Sequence, residues 1–175
     1  MTETKEKNST MQIIDCCFED HGETILTMFN HAIMHSTALY EYQPRSLLDI
    51  EQWFTNKNQH EFPVIGIIDS DKTLLGFASY GMFRPYPANK FTAELAIYVD
   101  EKAQGQGIAS HLLPALLAKA TSQNIHTLIA AIDENNHASI ALHKKFGFFH
   151  AGTLKEVGYK FDKWLNLCFY QRMLS

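Results

Sequence analysis

A chain of 175 residues, 46% apolar and 12% aromatic, has the size and composition of one compact domain with a real core. Its formal net charge of −4, with no cluster of Lys and Arg, argues against a nucleic-acid surface and favours a small molecule or a protein as partner. Cys16, Cys17 and Cys168 are an odd number without zinc-site spacing, which fits a reducing, cytoplasmic compartment. No apolar run approaches the roughly 18 to 20 residues of a membrane span, and "MTETKEKNST" carries no signal core. Residues 1–10 therefore read as a flexible tail ahead of a single domain at 11–175.

The first predicted element is a short strand, "MQIIDCC". A helix follows, with Ile25, Met28, Phe29, Ala32 and Ile33 at helical spacing, and a second helix, "SLLDIEQWFTNKN", comes after Pro44. The period then changes to two: "FPVIGIID" and "TLLGFASYGMF" form a hairpin joined by a tight turn at "SD". "RPYPANK" forces an irregular connection to the strand "FTAELAIYVD". The helix "GIASHLLPALLAKATSQN" puts Leu112, Leu113, Leu116 and Leu117 on one face and carries Pro114 inside it, where a bend is expected. A buried strand "HTLIAAID", a helix ending at Gly147 and two final strands complete the order β-α-α-β-β-β-α-β-α-β-β. This is an α/β (α+β) pattern, with a parallel crossover in the middle and antiparallel strands outside it.

The stretch "QGQGIAS" lies between a strand and a helix. Unpaired amides at a helix start, together with the positive end of its dipole, suit an anion, and glycines let the backbone approach it. A P-loop would need Gly-Lys-Ser/Thr, where this chain has Gly107, Ile108 and Ala109. A dinucleotide fingerprint would need a third glycine where Ser110 stands, and although Asp133 lies at a tolerable distance, the preceding strand opens no βαβ unit. For two glycines alone, a plain turn that binds nothing remains open.

"QGQGIA", followed at the right interval by "NHASIALHKKFGF", resembles the pyrophosphate loop and the Asn-containing signature of the GCN5-related N-acetyltransferase (GNAT) superfamily. The segments "FNHAIMHSTALYEY", "FRPY", "TAELAIYV" and "GTLKEVGYKFDKWLNLCFYQR" resemble its phosphinothricin and methionine sulfoximine branch, which acetylates the α-amino group of small amino acids. The resemblance implies a mostly antiparallel central sheet, splayed at an acetyl-CoA site and flanked by helices, and a homodimer. It places the coenzyme's pyrophosphate on Gln104, Gly105, Gln106, Gly107, Ile108 and Ala109, with Ser110 adding a hydroxyl. The pantetheine would pair with Ile97, Tyr98 and Val99 and meet Asn136, with Ser139 beside it. Asn136 is equally a natural helix N-cap.

Glu94 shares a strand face with Ala96 and Tyr98, and carboxylates are depleted in strands, so it is the expected general base. A solvated strand face is the competing reading. The resemblance implies that His143 lies near the coenzyme's sulfur, as proton donor to the thiolate or as positioning group, while a structural histidine is the competing reading. Arg84 is the expected carboxylate grip, because a guanidinium binds one bidentately, with Tyr40, Phe83, Tyr86 and Phe91 as pocket walls. Surface and packing roles compete for all five. His31 and His35 share a helix face but lack a third ligand, so no metal is expected. Two further readings stay open: a protein or peptide N-acetyltransferase, and an acyl-CoA-binding sensor without turnover.

Overall fold

The computed structural model describes residues 11–174, and the expected tail at 1–10 lies outside them. The elements are β1 (Gln12–Asp15), α1 (Phe18–His35), α2 (Leu47–Gln59), β2 (Val64–Ile68), β3 (Leu74–Met82), β4 (Thr92–Val99), α3 (Ile108–Ser122), β5 (Thr127–Asp133), α4 (His137–Lys145), β6 (Phe149–Lys160) and β7 (Lys163–Met173). One seven-stranded sheet runs in the order β1-β2-β3-β4-β5-β7-β6. Every neighbouring pair is antiparallel except β4 and β5.

Helices cover both faces. Ile25, Met28 and Phe29 of α1 and Ile50 and Phe54 of α2 pack on Phe77 and Leu74 of β3. On the opposite face Leu112, Leu113, Leu116 and Leu117 of α3 pack on Ala93 and Leu95 of β4 and on β5. Alternation along β4 therefore aims Glu94, Ala96 and Tyr98 at α1 and α2, and Leu95, Ile97 and Val99 at α3. A capping box starts α2, where the Ser46 side chain accepts from the Asp49 amide and Asp49 accepts in return.

One local expectation changes. The β2–β3 connection is a loop over residues 69–73, closed by Asp69 Oδ1, which accepts from the Asp71 and Thr73 amides at 2.9 Å each. An Asp that satisfies two amides stabilises a longer turn than the dipeptide "SD" suggests. Helix α3 runs through Pro114 as one element, with the proline exposed and the leucines beside it packed in the core.

Candidate active site

The sheet opens between its two parallel strands. β4 and β5 pair from Thr92↔Thr127 to Leu95↔Ala130, yet β4 continues to Val99 and β5 to Asp133. The Asp100 amide donates to Leu75 O at 2.9 Å, toward β3. Backbone direction alternates along a strand, so the peptide groups of Ile97 and Val99 face the opening instead. A cavity of about 660 Å³ fills that opening and is lined by Ile97, Tyr98 and Val99 on one side and by Ala130, Ala131, Ile132 and Asp133 on the other.

The glycine loop and two helix starts close this cavity. Gln104, Gly105, Gly107, Ile108, Ala109 and Ser110 line it, whereas Gln106 does not, its side chain donating to Lys102 O at 3.0 Å. Gly105 and Gly107 have φ of 75° and 79°, and a Cβ at Gly105 would touch nothing within 4 Å. Backbone conformation, not space, is thus what glycine supplies there. Gly107 ends the loop as N-cap of α3, and among the described residues the amides of Ile108, Ala109 and Ser110 have no protein acceptor. At the start of α4 the Asn136 side chain accepts from the Ser139 amide at 3.1 Å, and both residues line the cavity. The capping role of Asn136 is present, and cavity lining coexists with it.

Glu94 lies in a second, smaller cavity of about 130 Å³, walled by Phe29, Trp53 and Phe77 and containing Arg45, Lys57 and Ser79. Ala96 and Tyr98 line both cavities. Glu94 is partly buried, forms no ion pair with the described residues, and burial pushes its carboxyl above the usual glutamate range. A carboxylate shifted toward neutrality is better matched to accepting a proton near pH 7. Lys57 donates to Tyr80 O at 2.7 Å, and burial brings its ammonium down to about 8. Arg45 lies 4.1 Å above the Phe29 ring and pairs with Glu41 at 2.7 Å.

Two residues that line the larger cavity each hold a buried atom with no hydrogen-bond partner among the described residues: His143 Nε2 and Asp133 Oδ2. His143 Nδ1 is 2.8 Å from Ser139 O, a carbonyl that only accepts, so Nδ1 carries the hydrogen. Burial holds the imidazole below its usual pKa, and the hydrogen bond to Ser139 offsets that only in part. The neutral ring thus keeps a lone pair at Nε2 with no hydrogen-bond partner among the described residues. In this state it accepts a proton first, and donation to a thiolate requires that earlier step.

Known proteins resemble this chain in sequence and in fold. The model of the "Acetyltransferase (GNAT) family" matches residues 24–148. The chain belongs to the GNAT acetyltransferase family. An L-methionine sulfoximine/L-methionine sulfone acetyltransferase of Pseudomonas aeruginosa is 37% identical over 151 residues, 86% of this chain and 88% of that protein. An N-acetyltransferase of Staphylococcus aureus superposes with a TM-score of 0.92 at 44% identity, covering 95% of this chain and 100% of that one. A phosphinothricin acetyltransferase of Sinorhizobium meliloti, solved in complex with acetyl-CoA, gives 0.91 at 30% identity, covering 95% and 89%. The protein is an N-acetyltransferase of the α/β fold read from its sequence.

In this acetyltransferase the residues expected around the acceptor line neither cavity, although Tyr40 lies near enough to Asp133 that, after burial, this carboxylate helps raise its hydroxyl. Arg84, Tyr86 and Phe91 are exposed, Phe83 is half-buried, and Arg84 lies over the Phe83 ring, 5.7 Å from its centroid. Tyr40 packs over Gly158, where a Cβ would lie 2.6 Å from its ring. Around Glu94 stand instead Arg45, Trp53 and Lys57, which the motifs did not single out. Trp53 and Lys57 are one turn apart on α2, a spacing that sequence does show, but which face of α2 meets β4 is set by packing. Among the described residues no group of three His, Cys, Asp or Glu could hold a metal ion.

Proposed function

We propose that the protein transfers the acetyl group of acetyl-CoA to the α-amine of a small amino acid of the phosphinothricin, methionine sulfoximine or methionine sulfone type. Glu94 carries this reading: an acid raised by burial, in a small cavity that shares Ala96 and Tyr98 with the cavity between β4 and β5. The larger cavity suits coenzyme A, its pyrophosphate on the amides at the start of α3 and its pantetheine along Ile97 and Val99. An inner chamber of about 130 Å³ fits a small amine better than a peptide.

The reaction proceeds by direct attack. Glu94 takes one proton from the ammonium, through water, and the freed nitrogen lone pair adds to the thioester carbon. A backbone amide of β4 at Val99 stabilises the oxyanion. His143 Nε2 accepts the second proton from nitrogen as the C–S bond breaks, and that proton passes to the departing thiolate. The sum is amide, free coenzyme A and one released proton, with no acyl-enzyme.

The site works in a cytoplasmic homodimer. Phe161, Trp164, Leu154 and Val157 on the β6–β7 hairpin are all about half exposed or more and supply a self-association surface. Incubation with acetyl-CoA and a panel of methionine sulfoximine, methionine sulfone, phosphinothricin and ordinary amino acids, followed by thiol release, tests the reading. Release with one of the first three supports it, and release with none refutes it.

A further inference from the structure

We propose that Asp133 anchors the ammonium of the acceptor, a binding carboxylate distinct from the Glu94 base; this rests on the reading of the site as an amine acetyltransferase. The register fixes its place. Ile129 lies beside Glu94 in the parallel pair, and Asp133 is four residues further along β5. Alternation puts it on the face that Glu94, Ala96 and Tyr98 share, level with Tyr98 and ~13 Å along the sheet from Glu94. It lines the larger cavity where the two strands have parted.

Asp133 is only 4% exposed, and its two oxygens differ. Oδ1 accepts from the Asn135 amide at 2.8 Å, while Oδ2 is buried without a protein partner. No cation among the described residues pairs with it. The neighbouring acid is treated differently: Glu134 accepts from Asn166 Nδ2 at 2.6 Å and pairs with Lys155 at 2.9 Å. The Glu134 amide also donates to Asn166 O at 3.0 Å, so the end of β5 is fastened and Asp133 is held in place. Burying a carboxylate with one oxygen unsatisfied is costly, and a cationic donor offsets that cost more than a neutral amide does. An amino acid's ammonium is such a donor, and it enters this cavity to reach the thioester.

Anchor and base then divide the work. Asp133 contributes binding of the ammonium and exchanges no proton. The single proton removed before attack leaves through water past Ala96 and Tyr98 and ends on Glu94.

Asp133→Asn keeps the shape and the Oδ1 acceptor for Asn135 but removes the charge. With an acceptor the wild type uses, the KM for amine should rise roughly tenfold or more, with kcat at saturating amine nearly unchanged. The affinity for acetyl-CoA, measured by calorimetry, should stay the same. A hydroxy-acid analogue, with hydroxyl in place of the ammonium, should bind both proteins equally in the presence of coenzyme A. An unchanged amine KM, a loss in acetyl-CoA affinity instead, or an equal loss for the hydroxy analogue each overturns the proposal. Should Asp133→Asn fail to fold by circular dichroism, Asp133→Ser is measured in the same way. If the wild type releases thiol with no amine, the functional reading fails by itself. Calorimetric binding of amine against hydroxy analogue then still decides Asp133, and binding of neither overturns it.

Discussion

Gly81 stands opposite Glu94 in the β3–β4 register, and the space over that glycine is taken by Lys57, whose Nζ would lie 3.2 Å from a Cβ there. The missing side chain lets an ammonium from α2 reach the strand pair beside Glu94. Glu94→Gln should lower kcat by roughly 10²- to 10⁴-fold while leaving acetyl-CoA affinity intact. In the wild type, kcat should fall on the acid side at a pH above the ordinary glutamate range, since burial raises this carboxyl. Full pH profiles of both proteins check the assignment, and a limb that survives in the Gln variant would transfer it to another group.

Lys57 gives a stability test with a defined window. Its folded value of about 8 lies below that of an unfolded lysine, about 10.4. Between those values the unfolded chain holds a proton that the folded chain lacks, so stability rises with pH across the window, and the full cost of the buried charge is present below pH 8. The cost is on the order of 3 kcal/mol, partly offset by the hydrogen bond to Tyr80 O. Urea unfolding at pH 7, 9 and 10 should show wild type gaining on Lys57→Met as pH rises, and a difference independent of pH would contradict it.

His143 has a window of the same sign at lower pH. The unfolded chain binds a proton near pH 6.5, whereas the buried ring, lowered by desolvation, stays neutral until more acid conditions. Its contribution is therefore complete above 6.5 and is lost as pH falls through the folded value. His143→Gln should show a smaller acid-side loss of stability and a kcat lower by roughly tenfold or more. Nitrogen NMR should find Nδ1 protonated and Nε2 bare at pH 7, and the reverse tautomer would remove the proposed proton acceptor.

Gly105→Ala isolates backbone conformation, because the added methyl meets no neighbour while φ is 75°. A cost of about 1 to 2 kcal/mol should appear in stability or in acetyl-CoA affinity. Thermal melts and calorimetry distinguish the two, and a neutral substitution would mean that the loop accommodates the residue by changing shape.

Lys160 is buried, and its Nζ donates to Ile33 O at 2.6 Å, Ser36 O at 2.9 Å and Leu39 O at 2.6 Å. It ties the β6–β7 hairpin to the end of α1 and to the segment that carries Ala38 into the larger cavity. Lys160→Met leaves carbonyls without a donor and should destabilise the fold by about 3 kcal/mol or more. A loss below 1 kcal/mol in urea unfolding would show that water replaces the ammonium.

Helix positions were legible because apolar spacing repeats: the four leucines of α3 and the apolar stripe of α1 are buried as their periodicity demands. Local chemistry misled where one residue reached beyond its neighbours. Asp69 closes a longer turn than the dipeptide "SD" after it suggests. The β6–β7 turn is made by Phe161 and Asp162, both at positive φ, with no glycine or asparagine to announce it. Arg45 and Lys57 escaped the motif reading because nothing in their spacing ties them to Glu94, and Asp133 was met only as the acid of a dinucleotide fingerprint that the chain does not complete.

By itself the sequence determined the family, the order of elements and the loop that starts α3, because periodicity and glycine at positive φ are local properties of the chain. The tertiary structure decided the separation of β4 from β5, the neutral tautomer of His143, and the convergence of α2 and the end of β5 on one face of the sheet. Those depend on contacts between segments far apart in the chain, and burial by such contacts sets the protonation of Glu94, Lys57 and His143.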